Sequence, residues 1–471
     1  KKGVFTLEFV VGILLLLTFF GLAFYCIKGH NLMIGFLIIS IVWTALSLLG
    51  TLVASPTFIA ENPILQFGGD SGTTLVSILN KIYQSAPEGW GTTLVNVCWG
   101  AWFGRVLMET GIASTLIRKT VELGGDRPII TIVLLNVVTA FIFTAMMGAG
   151  PVIAIGVIVL PILMSLGIPK AIAMFTFMGS VSAGMYLNPV LQFSQLRAFI
   201  CASDEMPEFT FSWYTSHWGI YALIISVVVV SVLTGIYLKI GKKSHAWAAQ
   251  AAPKNTQTDA PLIALILPIV PVVLKIWLDF SVIGGFVIAG FAALFLCGKM
   301  NKSFKENCQL VNKLYYDGVV DTAPLVGFLL TLPMFNTCAS YASPYFKEVL
   351  GGIMPTNEYV VCALFAALSI LGFFRGPLTL YGCGAATLGV LSAVGHFSVP
   401  FLFCVFTIPA TTVNVGSCIT QSWIAWGLAY TKVESRDYLK LSIPFAYICS
   451  ILLYILTAFT VTGLGPEWFL S

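Results

Sequence analysis

Charged residues are scarce in this 471-residue sequence. Asp, Glu, Lys and Arg make up 9% of it, whereas apolar residues make up 58%. Soluble globular domains carry about 25% charged residues, so this composition excludes that class and indicates a polytopic membrane protein. The net charge of +4 does not indicate nucleic-acid binding, because the basic residues lie in short loops between apolar spans, where they orient a membrane protein.

Motifs for catalysis, nucleotide binding and metal binding are also missing. The four histidines are scattered, and the sequence contains neither a Gly-x-Ser-x-Gly elbow nor a Gly-x-x-x-x-Gly-Lys phosphate loop. None of the eleven cysteines forms a Cys-x-x-Cys pair, so they are interpreted as small apolar filler. We therefore expect no enzyme, no ATP-driven pump, and no cofactor or metal beyond a coupling ion, Na⁺ or H⁺.

What the sequence does contain is a series of apolar runs of about 20 residues, each long enough for one membrane crossing. They predict spanning helices at about 5–27, 32–54, 90–109, 216–240, 261–279, 281–298, 318–338 and 442–464. Polar connections are expected at 55–89 and 339–357, and a basic loop ending at Lys313.

Helix breakers interrupt four other apolar segments. Two segments, 129–166 and 358–395, are predicted to be re-entrant hairpins, with breakers at Gly148-Ala-Gly-Pro151 and Gly372-Phe-Phe-Arg-Gly-Pro377. Two more, 169–192 and 398–424, are predicted to be broken helices. Non-helical backbone at membrane depth needs other partners, so it occurs where protein or a water-filled cavity supplies them, and transporters bind their cargo at such places.

An offset of 226 residues relates the two halves of the chain. It places Pro151 on Pro377, Gly156 on Gly382, Asn188 on Asn414 and Gln195 on Gln421. The matched residues are helix breakers and polar groups, which coincide by chance less readily than Leu or Val. The sequence therefore predicts an internal repeat.

The expected fold is an all-α integral membrane protein of two inverted repeats. Each has about five transmembrane helices, one of them broken, plus one hairpin, and an odd number of crossings inverts the second half. The expected division is 1–127 and 261–357 as scaffold, 128–240 and 358–471 as transport parts, and 241–260 as linker. Lysines and arginines concentrate on the linker's side, which makes the linker cytoplasmic and predicts a multi-pass protein of a bacterial inner membrane.

A family resemblance rests on three stretches. The run Gly100-Ala-Trp-Phe-Gly-Arg-Val-Leu-Met-Glu-Thr-Gly111, the run Leu123-Gly-Gly-Asp-Arg-Pro128 and the hairpin with its broken helix resemble the ion transporter superfamily. Within it the nearest families are gluconate permeases, citrate carriers and anaerobic four-carbon dicarboxylate carriers. The resemblance implies a secondary carrier, commonly a homodimer, whose hairpins and broken helices carry a small organic anion across the bilayer.

Arg375 is the first candidate for binding the substrate. It lies at the break of the second hairpin, where a charge is costly and persists mainly for function or for a fixed partner, and its planar guanidinium matches a carboxylate. A structural ion pair and an exposed loop are the alternatives. The other candidates lie at the breaks of the hairpins and broken helices: Gly148, Gly150, Ser182, Asn188, Thr379, Thr412 and Asn414.

A second set of residues is predicted to bind the coupling ion. Neutral oxygens beside unwound backbone suit a small cation, and hydrogen bonding between helices is their alternative role. Arg105 and Glu109 are expected to form a structural pair, and Lys275 and Asp279 an interfacial one. The ion-coupling candidates are Thr144, Ser180, Thr411, Ser417, Asp317 and Asp321. Asp317 and Asp321 lie four residues apart at the predicted start of a helix, and capping of that helix in a solvated position is their alternative role.

Three functions are compatible with these patterns. Symport of an organic anion with H⁺ or Na⁺ is favoured by Arg375 and by the paired broken helices. Na⁺/H⁺ antiport is the alternative, but the broken helices contain no Asp or Glu to titrate. A channel would not explain two inverted breaks. The identity of the anion and of the coupling ion is open.

Overall fold

The computed structural model describes most of the chain as helix. The described residues are 6–28, 30–66, 74–124, 128–146, 148–201, 206–240, 259–350, 355–382, 384–395, 397–465 and 468, and they include no strand. The predicted cytoplasmic linker, 241–260, falls almost entirely outside them. The all-α class predicted from the composition is confirmed.

The first half contains nine long or medium helices and several short ones among its described residues. Short helices occupy most of the connection predicted to be polar: Pro56–Glu61, Pro63–Leu65, Leu75–Asn80, Lys81–Ser85 and Ala86–Glu88. The main helices are α1 (Leu7–Ile27), α2 (Leu32–Val53), α3 (Gly91–Glu109), α4 (Ile112–Gly124), α5 (Pro128–Phe143), α6 (Ala149–Ser165), α7 (Lys170–Met185), α8 (Gln195–Ile200) and α9 (Ile220–Ile240). A π-helix, Pro189–Ser194, precedes α8, and Phe211–Tyr214 with the π-helix Thr215–Gly219 leads into α9.

The second half begins with a 3₁₀-helix, Leu262–Ile269, that continues into α10. Its main helices are α10 (Val270–Leu278), α11 (Val282–Leu296), α12 (Phe304–Leu350), α13 (Glu358–Ala367), α14 (Gly384–Val394), α15 (Val399–Ile408), α16 (Ser422–Thr431) and α17 (Ser435–Thr460). A 3₁₀ segment, Ser369–Arg375, follows α13, and a π-helix, Pro409–Val415, follows α15.

Several helices have the length and composition of membrane spans. Three are long and apolar enough to cross a bilayer: Met33–Val53, Phe211–Lys239 and Ser435–Thr460. The pair Glu358–Ala367 and Ser369–Arg375 bends by 64° at its break, as a broken span or a re-entrant loop does. These helices and the apolar composition together make the chain a membrane protein.

The prediction for residues 299–357 was wrong in its boundaries. A basic loop, a helix at 318–338 and a polar connection were expected, but α12 runs without interruption over 47 residues. Lys305 and Lys313 lie on its first turns, and residues 339–350 of the expected connection form its last turns. Polar residues end an apolar run without ending a helix, because Lys, Glu and Gln are good helix formers.

The two halves repeat the same order of elements. Apart from α4, which has no counterpart among the described residues, each has two helices, then α3 or α12, a pair of arms around a break (α5/α6 and α13/α14), a helix followed by a π segment (α7 and α15), and a long final helix (α9 and α17). Here hairpin 1 denotes 128–165 and hairpin 2 denotes 358–394. α12 packs along α1, α2 and α3, whereas α7 packs against α5, α9 and α17.

Candidate functional site

The break in hairpin 2 has a strained backbone. Phe374 and Arg375 have φ values of 53° and 62°, a left-handed conformation that is uncommon for residues other than glycine. A Cβ atom on Gly382 would lie 2.1 Å from the Arg375 carbonyl oxygen, so the returning chain passes too close for any side chain there. Strained backbone of this kind concentrates at functional sites.

Arg375, the first candidate from the sequence, is half-buried at this break. Its Nη1 donates to the Tyr381 carbonyl oxygen over 3.0 Å, and its Nη2 donates to Oε1 of Gln421 over 3.4 Å. Both of these partners are neutral oxygen atoms. The contact with Gln421 joins hairpin 2 to the segment that follows the second π-helix.

Gln195 holds the other side of the same turn. Its Oε1 accepts a hydrogen bond of 2.8 Å from the Tyr381 hydroxyl, and both side chains are buried. Gln195 and Gln421 are the residues related by the 226-residue offset, and each contacts hairpin 2. Amides from both halves therefore meet at the turn that presents Arg375.

A short strip of buried polar atoms continues from Gln195. Three residues earlier, Gln192 donates through Nε2 to the hydroxyl of Thr411, which lies in the π-helix Pro409–Val415. Asn414, three residues after Thr411, is fully buried. Among the described residues five atoms in this region have no hydrogen-bond partner: Gln192 Oε1, Gln195 Nε2, Thr379 Oγ1, Asn414 Nδ2 and Asn414 Oδ1.

We call this group the amide strip: Gln192, Gln195, Thr411, Asn414, Tyr381, Thr379, Arg375 and Gln421. Buried polar atoms are nearly always paired, and an unpaired one costs about 1–3 kcal/mol. The amide strip therefore combines several unpaired buried polar atoms with one guanidinium.

Asn188 has a different environment from its repeat partner Asn414. Its Nδ2 donates to the carbonyl oxygens of Phe143 and Met146 over 3.4 and 3.2 Å, and its Oδ1 accepts from the Val190 N–H over 3.1 Å. The side chain thus satisfies the backbone where the first arm of hairpin 1 ends. This arrangement is that of a structural clasp between hairpin 1 and the first broken helix.

The predicted hydroxyl residues mostly bond to backbone of their own segment. The predicted residue Thr412 is an exception, because its Oγ1 lies 2.6 Å from the hydroxyl oxygen of Tyr186 in the first half. The Thr412 hydroxyl also lies 3.7 Å from Sγ of Cys449. The hydroxyls of Thr144, Ser182 and Ser417 donate to the carbonyl oxygens of Phe141, Gly179 and Thr412, respectively. The hydroxyl of Ser180 lies within hydrogen-bond distance of the Thr176 carbonyl oxygen and of Oδ1 of Asn136.

A second cluster joins hairpin 1 to α3 and α12. Arg105 on α3 forms a bidentate ion pair with Asp321 on α12, with both N···O distances 2.6 Å. Gly150 packs directly on this carboxylate, because a Cβ there would lie 2.3 Å from Oδ2 of Asp321. Gly148, with φ of 91°, faces Thr322 on the same helix. The tip of hairpin 1 is therefore docked at the crossing of α3 and α12.

The expected pairing of Arg105 with Glu109 was wrong. Arg105 pairs across the halves with Asp321, whose side chain is 14% exposed, whereas Glu109 lies 3.7 Å from Lys299. Asp317 is half-buried and forms no ion pair or hydrogen bond with the described residues. The predicted pair of Lys275 and Asp279 is present, with Nζ and Oδ1 2.6 Å apart.

Four residues of the amide strip were not candidates from the sequence: Gln192, Gln195, Tyr381 and Gln421. Gln195 and Gln421 carried a signal, because they coincide under the 226-residue offset. No sequence signal indicated Tyr381, because an aromatic residue in an apolar segment is usually a core residue. Its hydroxyl is recognisable only from its contact with Gln195.

Comparisons with known proteins identify the fold. The chain is similar to the YdaH transporter of Alcanivorax borkumensis, whose crystal structure is described as revealing an unusual topology. The TM-score is 0.52 at 12% sequence identity, and the match covers 91% of this chain and 98% of that one. No family model and no curated protein matches the sequence. The likeness extends over almost the entire chain and is a likeness of fold.

Proposed function

We propose that this protein is a secondary active transporter that moves a small organic anion across the membrane together with H⁺ or Na⁺. The observation that carries the proposal is the amide strip, where unpaired buried amide and hydroxyl atoms lie beside the half-buried Arg375. The substrate class is a carboxylate such as a dicarboxylate, a tricarboxylate or a sugar acid. The likeness in fold to a transporter supports the proposal.

The chemistry of the strip suits a carboxylate. Arg375 supplies charge and N–H donors, Asn414 and Gln195 supply further donors, and Thr379 supplies a hydroxyl. No Asp or Glu belongs to the strip, so an anion meets no fixed negative charge there. A guanidinium and a carboxylate form parallel charge-assisted hydrogen bonds, which are stronger than bonds between neutral groups.

The proposed movement is that of an elevator, in a protein that forms a homodimer through its scaffold. Hairpin 1 touches the proposed scaffold at the Arg105–Asp321 pair. Hairpin 2 touches it along α1 and α12, and its turn also touches Gln195 and Gln421 within the proposed transport part. Hairpins that contact the scaffold from both halves are suited to alternating access by inverted repeats. Thr411 and Ser417 are the proposed oxygens for a coupling cation.

Uptake into proteoliposomes tests the proposal. Vesicles with an imposed pH or Na⁺ gradient are supplied with radiolabelled dicarboxylate, tricarboxylate or sugar acid, and Asn414→Ala serves as the variant. We expect gradient-driven uptake of at least one anion by the wild type and strongly reduced uptake by the variant.

Absence of uptake for every anion under both gradients contradicts the proposal. Na⁺-driven proton movement that is independent of any anion supports the alternative, a Na⁺/H⁺ antiporter. In that case Asp321 is the residue to substitute. The coupling step would then be the exchange of its carboxylate between Arg105 and a cation.

A further inference from the structure

A deep groove runs between the scaffold and hairpin 2. It has a volume of about 290 Å³, and it is bounded by α1 and the end of α12 on one side and by α13 and α14 on the other. Its floor includes Val361, Leu391 and Phe346, which are buried. Its rim includes Phe20 and Leu364, which are 63% and 41% exposed.

The groove offers almost nothing polar. It is lined by leucines, phenylalanines, prolines and one valine, and its single hydroxyl belongs to Thr387. That hydroxyl already donates to the Pro377 carbonyl oxygen over 2.6 Å. None of the described residues that line the groove is charged. Water needs two to four polar partners in a cavity, and apolar cavities of about 150 Å³ take up hydrocarbon instead.

The residues around the mouth of the groove indicate which hydrocarbon can enter it. Phe20 lies on α1, which has no charged residue after Glu8, and Leu364 lies on α13 in the bent apolar pair. Leu368 and Leu371, which also line the groove, are 44% and 41% exposed. In a membrane this apolar exterior faces lipid tails. We propose that the groove binds one acyl chain of a membrane phospholipid, whose head group stays outside it.

The groove lies beside the turn of hairpin 2 that carries Arg375. Pro377 and Leu378, which line the groove, lie two and three residues after Arg375 in the turn of hairpin 2. An acyl chain there packs between the scaffold and the turn that presents Arg375, and hairpin 2 cannot slide along α1 and α12 without displacing it. Lipid occupancy is thus linked to the position of hairpin 2, whatever solute the amide strip binds.

Photolabelling in a bilayer tests the proposal. The full chain is reconstituted into phosphatidylcholine vesicles that contain a small fraction of phosphatidylcholine with a diazirine in the middle of one acyl chain. After irradiation, the adducts are located by mass spectrometry. We expect adducts on the floor residues Val361 and Leu391 as well as on the outer apolar face of α9, where Val232 is 54% exposed.

Two matched variants give the test its control. Leu364→Trp closes the rim of the groove with a larger apolar side chain, and Leu452→Trp makes the same change on α17 at a residue of nearly equal exposure, 40%. Leu364→Trp should lose the adducts on Val361 and Leu391 and keep those on Val232. Leu452→Trp should keep both sets.

Thermal stability in detergent provides a second readout. Adding phosphatidylcholine should raise the Tm of the wild type and of Leu452→Trp more than that of Leu364→Trp, because a ligand that binds only the folded state stabilises it. The proposal is overturned if the floor stays unlabelled while Val232 is labelled, if Leu364→Trp keeps the floor adducts, or if photocrosslinks join two copies of the chain through the groove. None of these readouts requires transport.

Discussion

The side-chain oxygens of Tyr186 and Thr412 lie 2.6 Å apart, and the two residues are separated by 226 positions. This is the offset that relates Asn188 to Asn414 and Gln195 to Gln421. A residue meets its own repeat partner only where the axis that relates the repeats passes between them. If the two halves form an inverted repeat, as proposed, this contact marks its axis. Thr412 lies within the π-helix Pro409–Val415, and Tyr186 lies three residues before the π-helix Pro189–Ser194.

The first prediction concerns the directions from which the hairpins approach the membrane midplane. If the repeats are inverted, Ala149→Cys in hairpin 1 and Phe374→Cys in hairpin 2 should react with a membrane-impermeant thiol reagent from opposite sides, in a background without native cysteines. The physical reason is the odd number of crossings in each half. Labelling of both positions from the same side in every condition would contradict inversion.

The second prediction separates the two repeat-related asparagines. Asn188→Ala should lower the free energy of unfolding by about 1–3 kcal/mol, because it strands the buried carbonyl groups of Phe143 and Met146. Asn414→Ala should leave stability nearly unchanged, since its amide pairs with no described residue, and should weaken anion uptake. Thermal unfolding and uptake are measured on both variants. A stability loss for Asn414→Ala as large as that for Asn188→Ala would show that both are structural.

The third prediction concerns the docking of hairpin 1. Gly150→Ala places a methyl group within 2.3–2.8 Å of the Asp321 carboxylate, so the Arg105–Asp321 pair or the hairpin tip has to shift. Overpacking of this kind costs about 1–3 kcal/mol, measured as a fall in unfolding free energy. Gly235→Ala on α9 is the control, because its Cβ would meet nothing within 4 Å. Equal stability of the two variants would mean that the contact is loose.

The fourth prediction concerns Arg375. Losing one charged partner from a desolvated pair costs about 2–5 kcal/mol, so Arg375→Ala should lower the affinity for the anion by well over tenfold. Lys at this position should recover only part of that affinity, because it keeps the charge and loses the planar fork. Apparent affinity is measured from uptake as a function of anion concentration.

Two further variants show whether the effect is specific to the site. Gln421→Glu keeps Arg375 and supplies it with a competing carboxylate, so it should weaken anion binding in the same direction. Arg436→Ala removes an exposed arginine near the start of α17 and should leave affinity unchanged. If Arg375→Ala transports the anion with unaltered apparent affinity, the arginine only braces the turn, and the anion is bound by the amides alone.

Sequence reasoning located most helices because their signals are local. Gly148 and Pro377 interrupt the apolar runs in which they lie, so the hairpin arms and the breaks in the two broken helices fell close to their predicted places. The length of α12 was missed because a hydropathy pattern reports which residues suit a bilayer. It does not report whether a helix continues beyond the bilayer.

By itself, the sequence determined that this chain is an all-helical membrane protein with breaks at equivalent places in two halves, since composition and breaker positions act through local backbone physics. The tertiary structure decided which polar side chains contact one another. Arg105 lies four residues from Glu109, yet it binds Asp321 more than two hundred residues away. Asn188 and Asn414 occupy matched positions, yet one clasps hairpin 1 and the other pairs with no described residue. Which buried polar atoms are satisfied depends on how helices distant in sequence pack, and that information is not local.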